Sequence, residues 1–353
     1  MSLTVTSPTG PAVPGESVGT GRRRRQRRRR AITLALLAAV LVVLAVSLMV
    51  GNTFYGPAEV VRVVLGEVVP GASFTVGELR LPRAVLAVLA GAAFGLGGVT
   101  FQTMLRNPLA APDVIGISAG ASAAAVIGIV VLGVDEARVS LLAITAALAT
   151  ALTIYVLSFR DGVVGTRLIL IGIGIAAMLD SVVAYVIIRA AVWDLQTAMR
   201  WLTGSLNNAS WDQVLPLAVA VAVTGPMLLT QARNLDLLRL GDDAAAAVGV
   251  RVERTRLLAI LTAVALVAFG TAAAGPIAFV AFLSGPIAAR LVGPGGSLMV
   301  PAALTGSLLV LCADLAGQFA FDARYPVGVI TGVLGAPYLV YLLIRTNRAG
   351  GSL

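Results

Sequence analysis

The sequence predicts an all-α, polytopic membrane protein of about ten transmembrane helices. Of its 353 residues, 58% are hydrophobic and only 12% are charged, with a mean hydropathy of +0.94. Soluble domains carry about 25% charged residues, so this balance excludes one of comparable length. The apolar residues also fall in runs of about 20, and at about 1.5 Å per residue such a run crosses the ~30 Å hydrocarbon layer. Arginine, finally, is spread unevenly over the connections between the runs, which is what orients a multi-pass chain.

Residues 1–30 hold Pro, Gly, Ser and Thr followed by eight arginines, Arg22–Arg25 and Arg27–Arg30. That composition buries no core and predicts a disordered cytoplasmic tail. Paired arginines before an apolar stretch outline a twin-arginine export signal, but the run that follows is too long and no soluble domain succeeds a cleavage site. The basic flank reads as an anchor to anionic lipid, and no nucleic-acid partner is expected.

The membrane body is expected over 31–345, with a short cytoplasmic tail at 346–353. Its first span is 31–50, and further spans are expected near 83–104, 114–133, 138–158, 167–188, 212–231, 257–275, 276–293, 299–320 and 327–344. Gly275-Pro276 divides one long apolar stretch into the seventh and eighth. An even count returns the C-terminus, with Arg345 and Arg348, to the cytoplasm. Arginines then number 19 inside against seven outside, as the positive-inside rule requires. Small residues such as Gly91-Ala-Ala-Phe-Gly-Leu-Gly-Gly98 suit a bundle whose backbones approach closely.

Several chemistries are closed to this chain. All 26 of its Lys and Arg positions are arginine, histidine is absent, and Cys312 is the only cysteine. Without lysine there is no G-x-x-x-x-G-K-[ST] loop and so no self-contained P-loop ATPase. Zinc, haem and iron–sulfur centres have almost no ligands to work with, and Ser-His-Asp or Cys-His catalysis lacks its base. No catalytic residue, metal site or bound cofactor is expected.

The polar candidates within the spans are Gln102, Asp180 and Asp314. Each charge at mid-bilayer costs about 2.5–3.5 kcal/mol on insertion scales. The two carboxylates therefore form a proton or ion relay, or are hydrogen-bonded to neighbouring helices or an aqueous cavity. The longest cytoplasmic connection, 233–256, holds a helix of about two turns. Asp242 has the chemistry of its N-cap, Ala244–Ala247 are strong helix formers, and Gly249 suits the left-handed C′ position. So short a helix is unstable alone and needs a partner surface. At the outer face, Arg80 and Arg83 flank Leu81-Pro82, and they either snorkel or dock an acidic partner. In the turn 104–121, two prolines stop one helix and Asp113 can cap the next.

Together these residues resemble the permease subunits of bacterial iron-siderophore and vitamin B12 ABC importers, the FecCD-type family. The resemblance rests on Arg80-Leu-Pro-Arg83, Phe101-Gln102, Arg106-Asn-Pro-Leu109, Pro112-Asp113, Gly116 to Gly120, Trp201-Leu-Thr-Gly-Ser-Leu206 and Leu240-Gly-Asp-Asp243 with Gly249-Val250. It continues through Gly275-Pro-Ile-Ala-Phe-Val280, Ala313-Asp314, Pro326-Val-Gly328 and Leu334-Gly-Ala-Pro337, covering roughly 55–345. Arg167 to Ile175 and Leu240 to Asp243 look most like ferric enterobactin-type permeases.

The resemblance implies a type II ABC importer permease in the bacterial plasma membrane, paired with a similar or identical second permease around a central path. Two cytoplasmic ATPases, which hold ATP and magnesium, would dock on the helix at Gly241, Asp242, Asp243, Ala247, Gly249 and Val250. An extracytoplasmic siderophore-binding protein would dock through carboxylates meeting Arg80 and Arg83. Arg324 is a further candidate, because Gln318 stands where B12-type relatives carry a third arginine. Relatives also read Pro-His-Ile-Ala-Arg-Arg where this chain has Gly285-Pro-Ile-Ala-Ala-Arg290. Within the family, cobalamin or haem is the competing cargo; outside it, a proton-coupled carrier using Asp180 and Asp314 is the competing mechanism.

Overall fold

A computed structural model of the chain describes residues 18–112, 116–158 and 165–348. The described residues form helices and no strands: α1 (Val18–Met49), α2 (Pro57–Val64), a π-helical segment (Ser73–Arg80), α3 (Leu81–Met104), α4 (Ile117–Val130), α5 (Glu136–Ser158) and α6 (Gly165–Ile188). After them come α7 (Val192–Thr203), α8 (Trp211–Leu238), α9 (Asp242–Ala247), α10 (Val252–Ala274), α11 (Val280–Val292), α12 (Met299–Phe319) and α13 (Val327–Arg348). Each of the ten expected spans corresponds to a helix. Seven helical stretches are long and apolar enough to cross a membrane, and α4, α11 and α13 to Leu342 are shorter apolar helices. Asp113 lies outside the described residues.

The arginine run departs from expectation. It was expected to be disordered up to residue 30, yet α1 begins at Val18 and carries Arg22–Arg30 as a continuation of the first span. Arginine is a good helix former, and once a long apolar helix exists, extending it costs far less than nucleating one. Arg29 also ties this stretch to the α11–α12 connection, donating to the carbonyls of Gly295 and Ser297.

At the centre of the bundle stands α3, buried along most of its length and packed against α8, α10, α11 and α12. Its glycines explain how. A β-carbon on Gly91 would run into the backbone of Gly306, one on Gly95 into Ala302, and one on Gly98 into Ala281. In lipid, where apolar surface gains little by leaving the solvent, such close backbone approach is a main source of helix association. Ser307 adds a hydrogen bond from its hydroxyl to the Val88 carbonyl, 2.8 Å.

The Gly275-Pro276 division is an irregular link. Gly275 takes φ 71° and Phe279 φ 63°, so α10 ends at Ala274 and α11 restarts at Val280. Two other irregular segments meet this link. The Ser205 N–H donates to the Ala274 carbonyl at 2.9 Å, and the Gly328 N–H donates to the Gly204 carbonyl at 3.1 Å. Non-helical backbone inside a membrane protein is tolerated where other protein satisfies it, and here the ends of α7 and α10 and the start of α13 satisfy one another.

Gly98→Ala is expected to destabilise the protein by about 1–3 kcal/mol, the usual cost of overpacking. Gly174→Ala, whose added β-carbon would meet nothing within 4 Å, should not. Thermal unfolding in detergent checks the difference, and equal midpoints would show that the α3–α11 approach is not tight.

Candidate functional site

At the end of the bundle that carries the arginines of α1, the chain turns from α8 into α9. Gly241 occupies the N-cap with φ 113° and ψ 155°, a backbone state open essentially to glycine. This corrects the expected cap. Asp242 is the first helical residue, and its side chain caps nothing. Its carboxylate instead accepts from two guanidinium groups. Arg256 of α10 reaches both oxygens from Nη2 at 2.8 Å, and Arg106, just past α3, donates from its own Nη2. Arg106 Nε also donates to the Leu238 carbonyl at the end of α8, 2.8 Å.

The far end of α9 closes as the local pattern suggests. The Gly249 N–H bonds the Ala246 carbonyl at 2.9 Å and the Val250 N–H bonds that of Ala245 at 3.0 Å. Gly249 sits at φ 89°, the left-handed C′ residue of a Schellman ending. Ala245 and Val250 are buried in the main core. Asp243, Ala247 and Gly249 face outward, beside exposed Leu240 and Val248. The helix thus presents a small, largely apolar surface carrying the Asp243 carboxylate, which has no hydrogen bond or ion pair among the described residues.

At the opposite end, a cavity of about 390 Å³ gathers Arg80, Arg83, Asp314, Gln318 and Arg324. The three arginines expected to dock a partner share this cavity, but two of them are already engaged. Arg80 donates to the carbonyls of Leu48 and Met49 at 2.9 Å and of Thr53 at 2.7 Å. Leu48 and Met49 close α1 and Thr53 lies in the connection after it, so Arg80 helps cap the helix and ties it to that connection, alongside the Tyr55 N–H, which also bonds the Met49 carbonyl at 3.1 Å; the Tyr55 ring lies 5.0 Å beneath the guanidinium. Arg83 forms a bidentate pair with Asp314 of α12, Nη2 to Oδ1 at 2.7 Å and Nε to Oδ2 at 3.0 Å. Asp314 is only 6% exposed, and Gln318, one turn on, donates to it at 2.7 Å.

This pairing answers the question left open for Asp314: its carboxylate is held by a neighbouring helix. Arg80 and Arg83, expected to snorkel or to meet a partner's carboxylates, thus already have partners within the chain. Arg324 is exposed and donates from Nη2 to the Asn52 side-chain oxygen at 3.2 Å. Asp180 is exposed on α6, makes no hydrogen bond or ion pair among the described residues, and is not part of the Arg83–Asp314 cavity. The two carboxylates are therefore not brought together as a relay.

Gln102, expected on a translocation path, is buried between α3 and α11. Its amide donates to the Phe282 carbonyl at 3.0 Å. That carbonyl would ordinarily accept from the N–H four residues later, but Pro286 stands there and has none. Gly285 leaves the space, since a β-carbon there would strike Gln102 Oε1. Gln102 thus repairs a proline gap.

Arg106 and Arg256 are the site residues that local reading missed as partners of Asp242. The only sequence signal is that both sit where helices meet the surface beside α9; their convergence spans 136 residues in the case of Arg106.

Comparison with known proteins agrees with the motifs. The model of the FecCD transport family matches residues 38–345. The ferric enterobactin transport system permease protein FepG of Escherichia coli K12 is 40% identical over 318 residues, covering 89% of this chain and 96% of that protein. The achromobactin transport system permease protein CbrC of Dickeya dadantii is 39% identical over 316 residues, 88% of this chain and 90% of that one. A solved structure of a metal-chelate type ABC transporter in an inward-facing conformation superposes with a TM-score of 0.80 at 26% identity, covering 90% of this chain and 99% of that one.

Arg83→Ala is expected to cost about 3–5 kcal/mol, because it strands a buried carboxylate. Arg83→Met combined with Asp314→Leu should cost far less. Thermal midpoints of the single and double variants test this, and strictly additive losses would show the two groups to be uncoupled.

Proposed function

Because this chain belongs to the FecCD transport family, the membrane permeases of ABC-type iron-siderophore and cobalamin importers, we propose that it carries a ferric siderophore of the catecholate class across the bacterial plasma membrane. The observation that supports this cargo most directly is the 40% identity with the ferric enterobactin permease over 89% of the chain.

The energy comes from elsewhere. A chain without lysine has no P-loop, so two partner ATPases hold ATP and magnesium and dock on the outward surface of α9 through Leu240, Asp243, Ala247 and Val248. The N- and C-termini are cytoplasmic, on the side where arginine accumulates. The binding protein docks at the opposite face. There Arg324 is the exposed arginine of the outer cavity, while Arg80 and Arg83 shape its rim.

A second permease completes the path. Asp180 faces outward from an apolar helix of the single chain. Against lipid it would cost about 2.5–3.5 kcal/mol, so that face of α6 belongs against the second subunit or the aqueous path. An apolar cavity of about 480 Å³ lined by Leu109, Ser118, Pro276, Phe279, Phe282 and Leu339 offers cargo few polar contacts. Iron arriving inside its chelator needs no protein ligands, and weak contact lets it leave. ATP binding then shifts the population between outward- and inward-open states.

Iron-55 uptake in a strain deleted for this gene tests the cargo. Ferric enterobactin uptake should be restored by the chain, ferric hydroxamate and labelled cobalamin uptake should not, and the reverse pattern would reassign it. Ala247→Arg should abolish uptake by blocking the ATPase surface, whereas Gly249→Ala should reduce it only through about 1–2 kcal/mol of left-handed backbone strain; full uptake by Ala247→Arg would remove α9 as the docking surface.

A further inference from the structure

We propose that Asp242 is the positioning residue through which displacement of α9 is passed to α3 and α10, an inference that rests on the importer reading above. One carboxylate joins three elements here: α9 itself, Arg256 of α10 through both oxygens at 2.8 Å, and Arg106 after α3. Arg106 adds the end of α8 through the Leu238 carbonyl. Three helix ends therefore converge on this one acidic side chain, and Arg106 links a fourth, that of α8.

The other attachments of α9 are of a different kind. Gly241 and Gly249 flank the helix at φ 113° and 89°, and nothing lies within 4 Å of where their β-carbons would be. Glycines at both ends let a six-residue helix turn as a unit. Ala245 and Val250 seat it in the core, but methyl and isopropyl groups in van der Waals contact resist sliding weakly. Charge-assisted pairs fix direction as well as distance. The Arg256 side chain is only 15% exposed against 44% for Asp242, so water screens this pair less than an open surface pair.

The receiving elements are those that matter for the path. From Arg106, α3 runs as the buried centre of the bundle to Arg83 and its pair with Asp314. From Arg256, α10 runs to Ala274, whose carbonyl holds Ser205 in the crossing of irregular backbone. Adjacent carboxylates thus divide the labour, with Asp242 turned inward to transmit and Asp243 turned outward to the ATPase.

The test uses the permease reconstituted in proteoliposomes with its partner permease, ATPases and binding protein. ATPase association, ATP hydrolysis and iron-55 ferric enterobactin transport are measured together. Asp242→Asn should retain ATPase association and hydrolysis while transport per ATP falls roughly tenfold or more, the scale of a lost charged hydrogen bond. Asp242→Glu should recover most of the ratio. Arg106→Gln, at a partly exposed site, should reproduce the loss without depending on how Asp242→Asn folds. Asp243→Asn should weaken ATPase association and leave transport per ATP unchanged. Wild-type transport per ATP in Asp242→Asn or in Arg106→Gln would overturn the joint. Failure of the importer reading is distinct, because it would appear in the wild-type complex as ATP hydrolysis without uptake.

Discussion

The backbone of α3 lies directly against those of α11 and α12, and this contact positions much of the rest. It exists because Gly91, Gly95, Gly98 and Gly306 leave no side chain between the helices. Packing at that distance sums many weak dispersion contacts, and it makes α3 the shared member of the helix pairs at the centre of the bundle. The same helix begins with Arg83 and hands over to Arg106. One rod about 36 Å long, 24 residues at about 1.5 Å each, therefore bears a guanidinium at each end. The ion pair at one face and the α9 joint at the other are held in register by a single piece of packed backbone.

Polar groups largely follow the complementary rule, that a polar group inside a bilayer needs a partner, the buried Thr271 hydroxyl being an exception among the described residues. Arg80 satisfies the end of α1, Gln102 replaces the donor that Pro286 lacks, and at the irregular crossing the Ser205 N–H bonds the Ala274 carbonyl while the Gly328 N–H bonds that of Gly204. Against this internal economy, the groups left facing outward stand out: Asp180 on α6, Asp243 and Ala247 on α9, and Arg324 beside the outer cavity. They mark the surfaces where the proposed importer would meet a second permease, an ATPase and a binding protein.

Legibility in the sequence followed the range of the interaction. The positions of the apolar helices were readable because a run of about 20 apolar residues is a local property that the thickness of the bilayer imposes, although α4 and α11 proved shorter than the expected spans. The body of α9 and its Gly249 ending were readable because Schellman endings depend on neighbours within one turn. Its beginning was misread, since Asp242 has the chemistry of an N-cap but Gly241 took that backbone position and released the carboxylate to Arg106 and Arg256. The arginine run was misread as well, because composition argues for disorder while continuity with an apolar helix favours helix.

The sequence by itself determined the class of protein, the position of its apolar helices, the short surface helix, and the lack of a P-loop in this chain. Those follow from composition and from patterns no longer than a helix. Only the tertiary structure decided which charges are free. Arg83 finds Asp314 across 231 positions and Arg106 finds Asp242 across 136. Such partners are chosen by how helices pack, and the glycines that permit the packing say where a backbone approaches without saying which side chains then meet.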